Sequence, residues 1–289
     1  MIIVGFVAIV AALIVVIARP VNYSTNVPKE LDEAVARSVF SMNGVSMSDI
    51  SVDGQTQHYG AVRDSEKIYG SECLGEGHVI LGYKDKGKSV EVYSLCSAIG
   101  YGFREGIMVD ESGYSGVPTL FVFDKDSDNH YVFKKAKEAA DGGEFTSSVK
   151  KMFPSVLAKK VISAKEHEII SKQLDEQCRK YVEAYLVSIG REAKISSYYG
   201  EDFKILSDYG VSDEVDNALY QLHPEYGLYI GSFERIENGV RYVYKQVFDN
   251  QKDGSGIVYF SKAEYDSGKL VEKFAYKVDG NQIEKCRFD

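Results

Sequence analysis

Met1 to Ala18 carries no charged or strongly polar side chain, and Arg19-Pro20 ends the run. A helix rises about 1.5 Å per residue, so this stretch spans roughly 27 Å, near the lower limit for crossing a bilayer. The pattern predicts a transmembrane anchor over 1–19 and a linker over 20–27. A cleavable signal peptide is the rival reading, since Val16 and Ala18 suit a small-residue cleavage site. No Lys or Arg precedes the run, however, and the apolar residues continue straight into that site, so an uncleaved anchor fits better.

Beyond the linker the spacing becomes amphipathic. Pro28 suits the first turn of a helix, with Leu31, Val35 and Val39 on one face and Gly44 after its end. From about 66 to 137 the pattern is that of strands. Ser65 to Leu74, His78 to Tyr83 and Val90 to Ile99 are candidates, the last two joined by Lys84-Asp85-Lys86-Gly87-Lys88. Val117 to Phe123 and His130 to Lys135 form a further hairpin.

Helices follow, over Glu144 to Met152, from Pro154, and over Ser163 to Ile189. In the last, Ile169, Ile170, Leu174, Cys178, Tyr181, Tyr185 and Leu186 recur at helical spacing. Ser163 with Glu166 fits a capping box at its start, and Gly190 fits a C-cap at its end.

After Gly190 the chain predicts a helix over Asp213 to Leu222. A meander follows over Leu228 to Ile236, Val240 to Phe248, Gly256 to Tyr265, Lys269 to Val278 and Gln282 to Arg287. Asn238-Gly239, Asp253-Gly254, Ser267-Gly268 and Asp279-Gly280 mark its turns. The expected class is α+β: an N-terminal transmembrane helix, an antiparallel sheet with helices over 28–192, and a β-rich C-terminal domain over 198–289.

Charge narrows the partners. With 34 Lys and Arg against 43 Asp and Glu the net charge is −9, and no basic stripe stands out. This argues against nucleic acid or anionic lipid as the main partner. The membrane is met through residues 1–18. Tyr is abundant at 21 and Trp absent, which suits half-exposed strands. Four cysteines, Cys73, Cys96, Cys178 and Cys286, form no Cys-x-x-Cys pair. Cys73 and Cys96 stand in neighbouring strands, placed to pair if the body lies outside the cell. Otherwise all four pack as small reduced hydrophobes.

Local motifs for chemistry are incomplete. Asp124, Asp126 and Asp128 have calcium-ligand spacing, but Asn129 stands where an EF-hand needs Gly and Lys135 where it needs Glu. A weak calcium site is the candidate there, and a solvated acidic hairpin the plainer reading. Ser147 with Lys150, Ser148 with Lys151, and Ser127-Asp128-Asn129 echo penicillin-binding motifs. Their order is reversed and no Lys-Thr-Gly is present. The five histidines, His58, His78, His130, His167 and His223, show no ligand spacing. No catalytic residue and no cofactor is expected.

Several short motifs appear in order: Glu76-Gly77-His78-Val79-Ile80-Leu81-Gly82, Gly100-Tyr101-Gly102-Phe103 with Gly106, and Gly113, Gly116 and Val117-Pro118-Thr119. Asp141-Gly142-Gly143, Met152-Phe153-Pro154 and Ser188-Ile189-Gly190-Arg191 complete the series. Residues 70 to 191 thereby resemble the extracytoplasmic C-terminal region of membrane-bound antirepressor metallopeptidases of the beta-lactam-sensor type from Gram-positive bacteria. Ala18-Arg19-Pro20 is similar to the end of their last transmembrane helix.

The peptidase motif His-Glu-x-x-His is absent: after His167-Glu168 the fourth position is Ser171. The resemblance therefore implies a non-enzymatic sensor-like module, outside the membrane, that meets a protein or cell-envelope ligand. Arg19 after the span favours a cytoplasmic body by the positive-inside rule. One Arg weighs less than the ordered motifs. An unrecognised hydrolase built from convergent Cys, His and acidic residues and a cytoplasmic-facing scaffold are the alternatives.

Overall fold

The computed structural model describes residues 27–52, 54–62, 71–196, 203–251 and 255–287. The expected anchor over 1–19 and most of the linker lie outside them. Among the described residues no helix is long and apolar enough to cross a membrane.

Those residues form an α+β fold with five α-helices and a twelve-stranded, mainly antiparallel sheet. Helix α1 (Lys29–Met42) leads into a hairpin of β1 (Ser48–Val52) and β2 (Gln55–Ala61). Three long strands follow: β3 (Cys73–Asp85), β4 (Ser89–Arg104) and β5 (Ile107–Lys125). Then come β6 (Tyr131–Glu138), α2 (Phe145–Met152), α3 (Ser155–Ile162), α4 (Ala164–Ser188) and the short β7 (Ile195–Ser196). Helix α5 (Asp213–Leu222) precedes the meander of β8 (Gly231–Glu237), β9 (Val240–Asn250), β10 (Gly256–Glu264), β11 (Leu270–Asp279) and β12 (Gln282–Lys285).

The strand order is β1-β2-β3-β4-β8-β9-β10-β11-β12, with β5 branching from β4. Strand β5 carries β6 antiparallel and β7 parallel. The meander joins the first half of the sheet where Arg104 pairs with Phe233.

Alternation along β4 explains the layering. Val90, Val92, Cys96 and Ala98 face α1, where Leu31, Val35, Val39 and Phe40 cover them. Tyr93 and Leu95 face α2, α3 and Leu174 of α4. Tyr101 and Phe103 meet Cys178, Val182, Tyr185 and Leu186 on the same helix. In the second half, Val215, Leu219 and Tyr226 cover Phe233, Tyr244, Phe260 and Phe274. At the β8–β9 turn Asn238 and Gly239 both have positive φ (50° and 82°), as a two-residue hairpin requires.

Several expectations need correction. Cys73 and Cys96 do not pair. Cys73 lies opposite Tyr101 and Cys96 opposite His78, and they point to opposite faces, one towards α4 and one towards α1. All four thiols are free. Strand β3 begins at Cys73, with 63–70 outside the described residues, and it runs unbroken through Gly75 and Gly77. The hairpin β1–β2 and the first half of β5 were not expected as strands. Ser163 precedes α4 but makes no side-chain cap bond, and Ile169 points to solvent at 53 % exposure.

Candidate functional site

Strand β2 pairs with β3 only at Gly60 with Leu74 and Ala61 with Cys73. Beyond that the two strands part. A cleft of about 530 Å³ lies in the fork, walled by Asp32 of α1, Gln57 and His58 of β2, Glu76 and His78 of β3, and Gln177, Lys180, Tyr181 and Glu183 of α4. Helix α4 comes this close because Gly75 and Gly77 have no side chains. A Cβ at Gly77 would stand 2.6 Å from the Leu174 carbonyl oxygen, and one at Gly75 2.8 Å from that of Cys178.

Glu76 and His78 are two apart on one strand, so both point to the α1 side. Glu76 is 1 % exposed and His78 8 %. The His78 ring bonds Glu76 through Nδ1 at 2.9 Å and Asp32 through Nε2 at 3.1 Å. Burial disfavours the charged ring, but Glu76 and Asp32 outweigh it and push the pKa up to about 10. His78 is therefore an imidazolium that donates from both nitrogens. Asp32 responds in kind: its bond to His78 holds its carboxyl below the usual range. Burial, then the charge of Glu76, keeps the Tyr181 phenol protonated. At the outer wall Asp49 fixes His58 through Nδ1 at 2.7 Å.

This arrangement lines the cleft with a fixed charge pattern. An imidazolium bonded on both sides has no lone pair with which to take a proton. The three buried thiols do not complete a nucleophile. Cys96 is opposite His78 in the ladder, yet its Sγ meets Ser94 Oγ at 3.2 Å, and burial pushes its pKa up. Cys73 and Cys178 are likewise buried with raised pKa.

Of the candidate calcium ligands, Asp126 and Asp128 come together and Asp124 stands apart from them. Asp124 pairs with Lys134 at 2.9 Å. Asp126 accepts the amides of Asp128 (2.9 Å) and His130 (2.8 Å), closing its own loop. Asp126, Asp128 and His130 do come together, all exposed. The Ser-x-x-Lys motifs are helix-end bonds instead: Ser147 donates to the Glu144 carbonyl and Ser148 to that of Phe145. On α4, Ser171 Oγ lies 3.4 Å from His167 Nδ1.

A second cavity, of about 510 Å³, lies across α4, among Tyr101, Asp110, Asp175 and Arg179. One oxygen of Asp110 is buried there without a hydrogen bond. Burial and the nearby Asp175 raise the Asp110 carboxyl.

Sequence reasoning did not assemble the fork. Its local signal was Glu76-Gly77-His78, two titratable residues on one strand face with a glycine between. Asp32 and Gln177 join them only through the fold.

No protein-family model matches this chain, and no curated protein or solved structure matches it.

Proposed function

We propose that the chain is a membrane-anchored, extracytoplasmic binding or sensing module without catalytic activity, and that the fork between β2 and β3 receives its ligand. The observation that carries this reading is the state of His78. It is already protonated and bonded on both ring nitrogens, within a cleft large enough for a small ligand. Such a group recognises charge and shape; it does not relay protons near neutral pH. The buried, protonated thiols support the same reading. The apolar run over 1–18 supplies the anchor, and the resemblance over 70–191 supplies the outward orientation. A protein partner or a cell-envelope fragment is the ligand class.

Protease treatment of intact protoplasts carrying a C-terminally tagged chain tests the placement. Digestion to a short membrane-bound stub is the expected result. Protection until the membrane is lysed would place the body in the cytoplasm and end the sensor reading.

A further inference from the structure

We infer that the fork is a strand-addition site: a short extended peptide with a basic side chain pairs with the edge of β3 that, among the described residues, carries no strand beyond Leu74. This rests on the reading of the fork as the ligand site. One edge of β3 is laddered to β4 from Cys73 to Asp85, with a bulge at Leu81. The other holds β2 at two residue pairs, and among the described residues no strand takes the positions that follow.

The edge faces the cleft with hydrogen-bonding groups. The His78 backbone amide donates to Gln177 Oε1 at 2.7 Å, a side chain standing where a neighbouring strand would place a carbonyl. In an antiparallel ladder alternate residues bond to the same side, so the backbone groups of Glu76 and Ile80 point the same way. A glutamine side chain can rotate aside, and the amide is then open to a peptide carbonyl.

The way this edge is built separates it from an ordinary sheet border. Exposed edges are commonly blunted by lysine or proline. Strand β6, which pairs only with β5 among the described residues, follows that pattern with Lys134, Lys135 and Lys137. The β3 edge over Glu76-Gly77-His78-Val79-Ile80 has neither residue type; its cover is the Gln177 side chain of α4.

Charge selects the occupant. Three carboxylates, Asp32, Glu76 and Glu183, line the cleft with the His78 imidazolium and the Lys180 ammonium, and His58 beside them is matched by Asp49. One negative charge is left over, which a Lys or Arg of the peptide would meet. Backbone pairing supplies affinity and the side-chain face supplies selection, the division of labour found where peptides extend a sheet.

The test uses the full chain in lipid nanodiscs and a fluorescein-labelled heptapeptide of alternating Val and Lys, read by anisotropy. Saturable binding is expected. N-methylation of alternate peptide amides should weaken it by about tenfold or more, as should Glu in place of Lys. Asp32→Asn should reduce the preference for Lys over Glu; if that variant does not fold, the peptide comparison on the unaltered chain carries the test. Equal binding of the N-methylated peptide would overturn strand addition while leaving the fork as a binding site. Equal binding of the Glu peptide would overturn the charge selection. No saturable binding of any peptide would overturn the inference, whichever way the protoplast digestion falls.

Discussion

Arg241 and Glu72 lie 169 residues apart in sequence and 2.7 Å apart in space. The same guanidinium nitrogen also reaches Glu234 at 2.7 Å. Arg191 clasps Glu234 with two bonds, at 2.6 and 3.0 Å, and stacks its guanidinium 3.6 Å from the Phe103 ring centre. Tyr185 donates to Glu72 at 3.1 Å. This network ties the end of α4 to β8 and β9, and so joins the helix that walls the fork to the C-terminal meander.

Arg241→Met should be costly, because Glu72 is fully buried and would lose its cation. Breaking a buried pair by removing one partner typically costs about 3 kcal/mol or more. Urea unfolding should show that loss, and adding Glu72→Gln to Arg241→Met should recover part of it. An unchanged urea midpoint in the single variant would mean the network adds nothing to the junction.

His78 makes stability depend on pH on the alkaline side. Its folded pKa of about 10 stands above the ordinary 6.5. The folded state therefore holds the proton more tightly than the unfolded chain. The stabilisation is fully present below 6.5 and is lost as pH rises through 10. Urea midpoints measured across that window should fall with pH, and His78→Gln should flatten the part of the slope due to this residue. Parallel profiles for the two proteins would show that the ring is not held between Glu76 and Asp32.

Gly77→Ala should push α4 away from β3, since the added methyl would meet the helix backbone. Overpacking of this kind costs about 1–3 kcal/mol. Gly143→Ala is the matched control: a Cβ there meets nothing within 4 Å. Thermal unfolding should separate the two, and equal transition temperatures would argue against the close helix-to-strand approach.

Much of the fold was legible where side-chain periodicity and local turn chemistry agreed. Helix α5 and the meander follow from Val215, Leu219 and the Asn238-Gly239 turn, because each of those signals is local. Strand β3 was harder to read. Gly75 and Gly77 look like breaks in a strand pattern, and their reason for being there, the Leu174 and Cys178 carbonyls, lies a hundred residues away. In β5 the alternation is interrupted by Gly113, which packs on the Ala98 carbonyl of the neighbouring β4, and by Gly116, which packs on the His167 ring. The fork was illegible for a related reason: Asp32, His78 and Gln177 belong to three elements and share no spacing. The Asp124, Asp126 and Asp128 series reads in the structure as the acidic hairpin that was the plainer reading, with Lys134 on Asp124 and the loop's own amides on Asp126.

The two pairs that hold β2 to β3 also bear on how the chain reaches its native state. The meander closes through short hairpins, whereas Tyr185 and Glu72 meet across 113 residues and Arg241 and Glu72 across 169. Contacts that close long loops form late. During synthesis β3 leaves the ribosome well before α4, so its outer edge stands bare while the rest is made. An unpaired edge of that kind invites pairing with another chain. The docking of α4 narrows this exposure to the fork, where Gln177 caps the His78 amide, and conditions that delay it should show first as aggregation of new chains rather than as loss of finished ones.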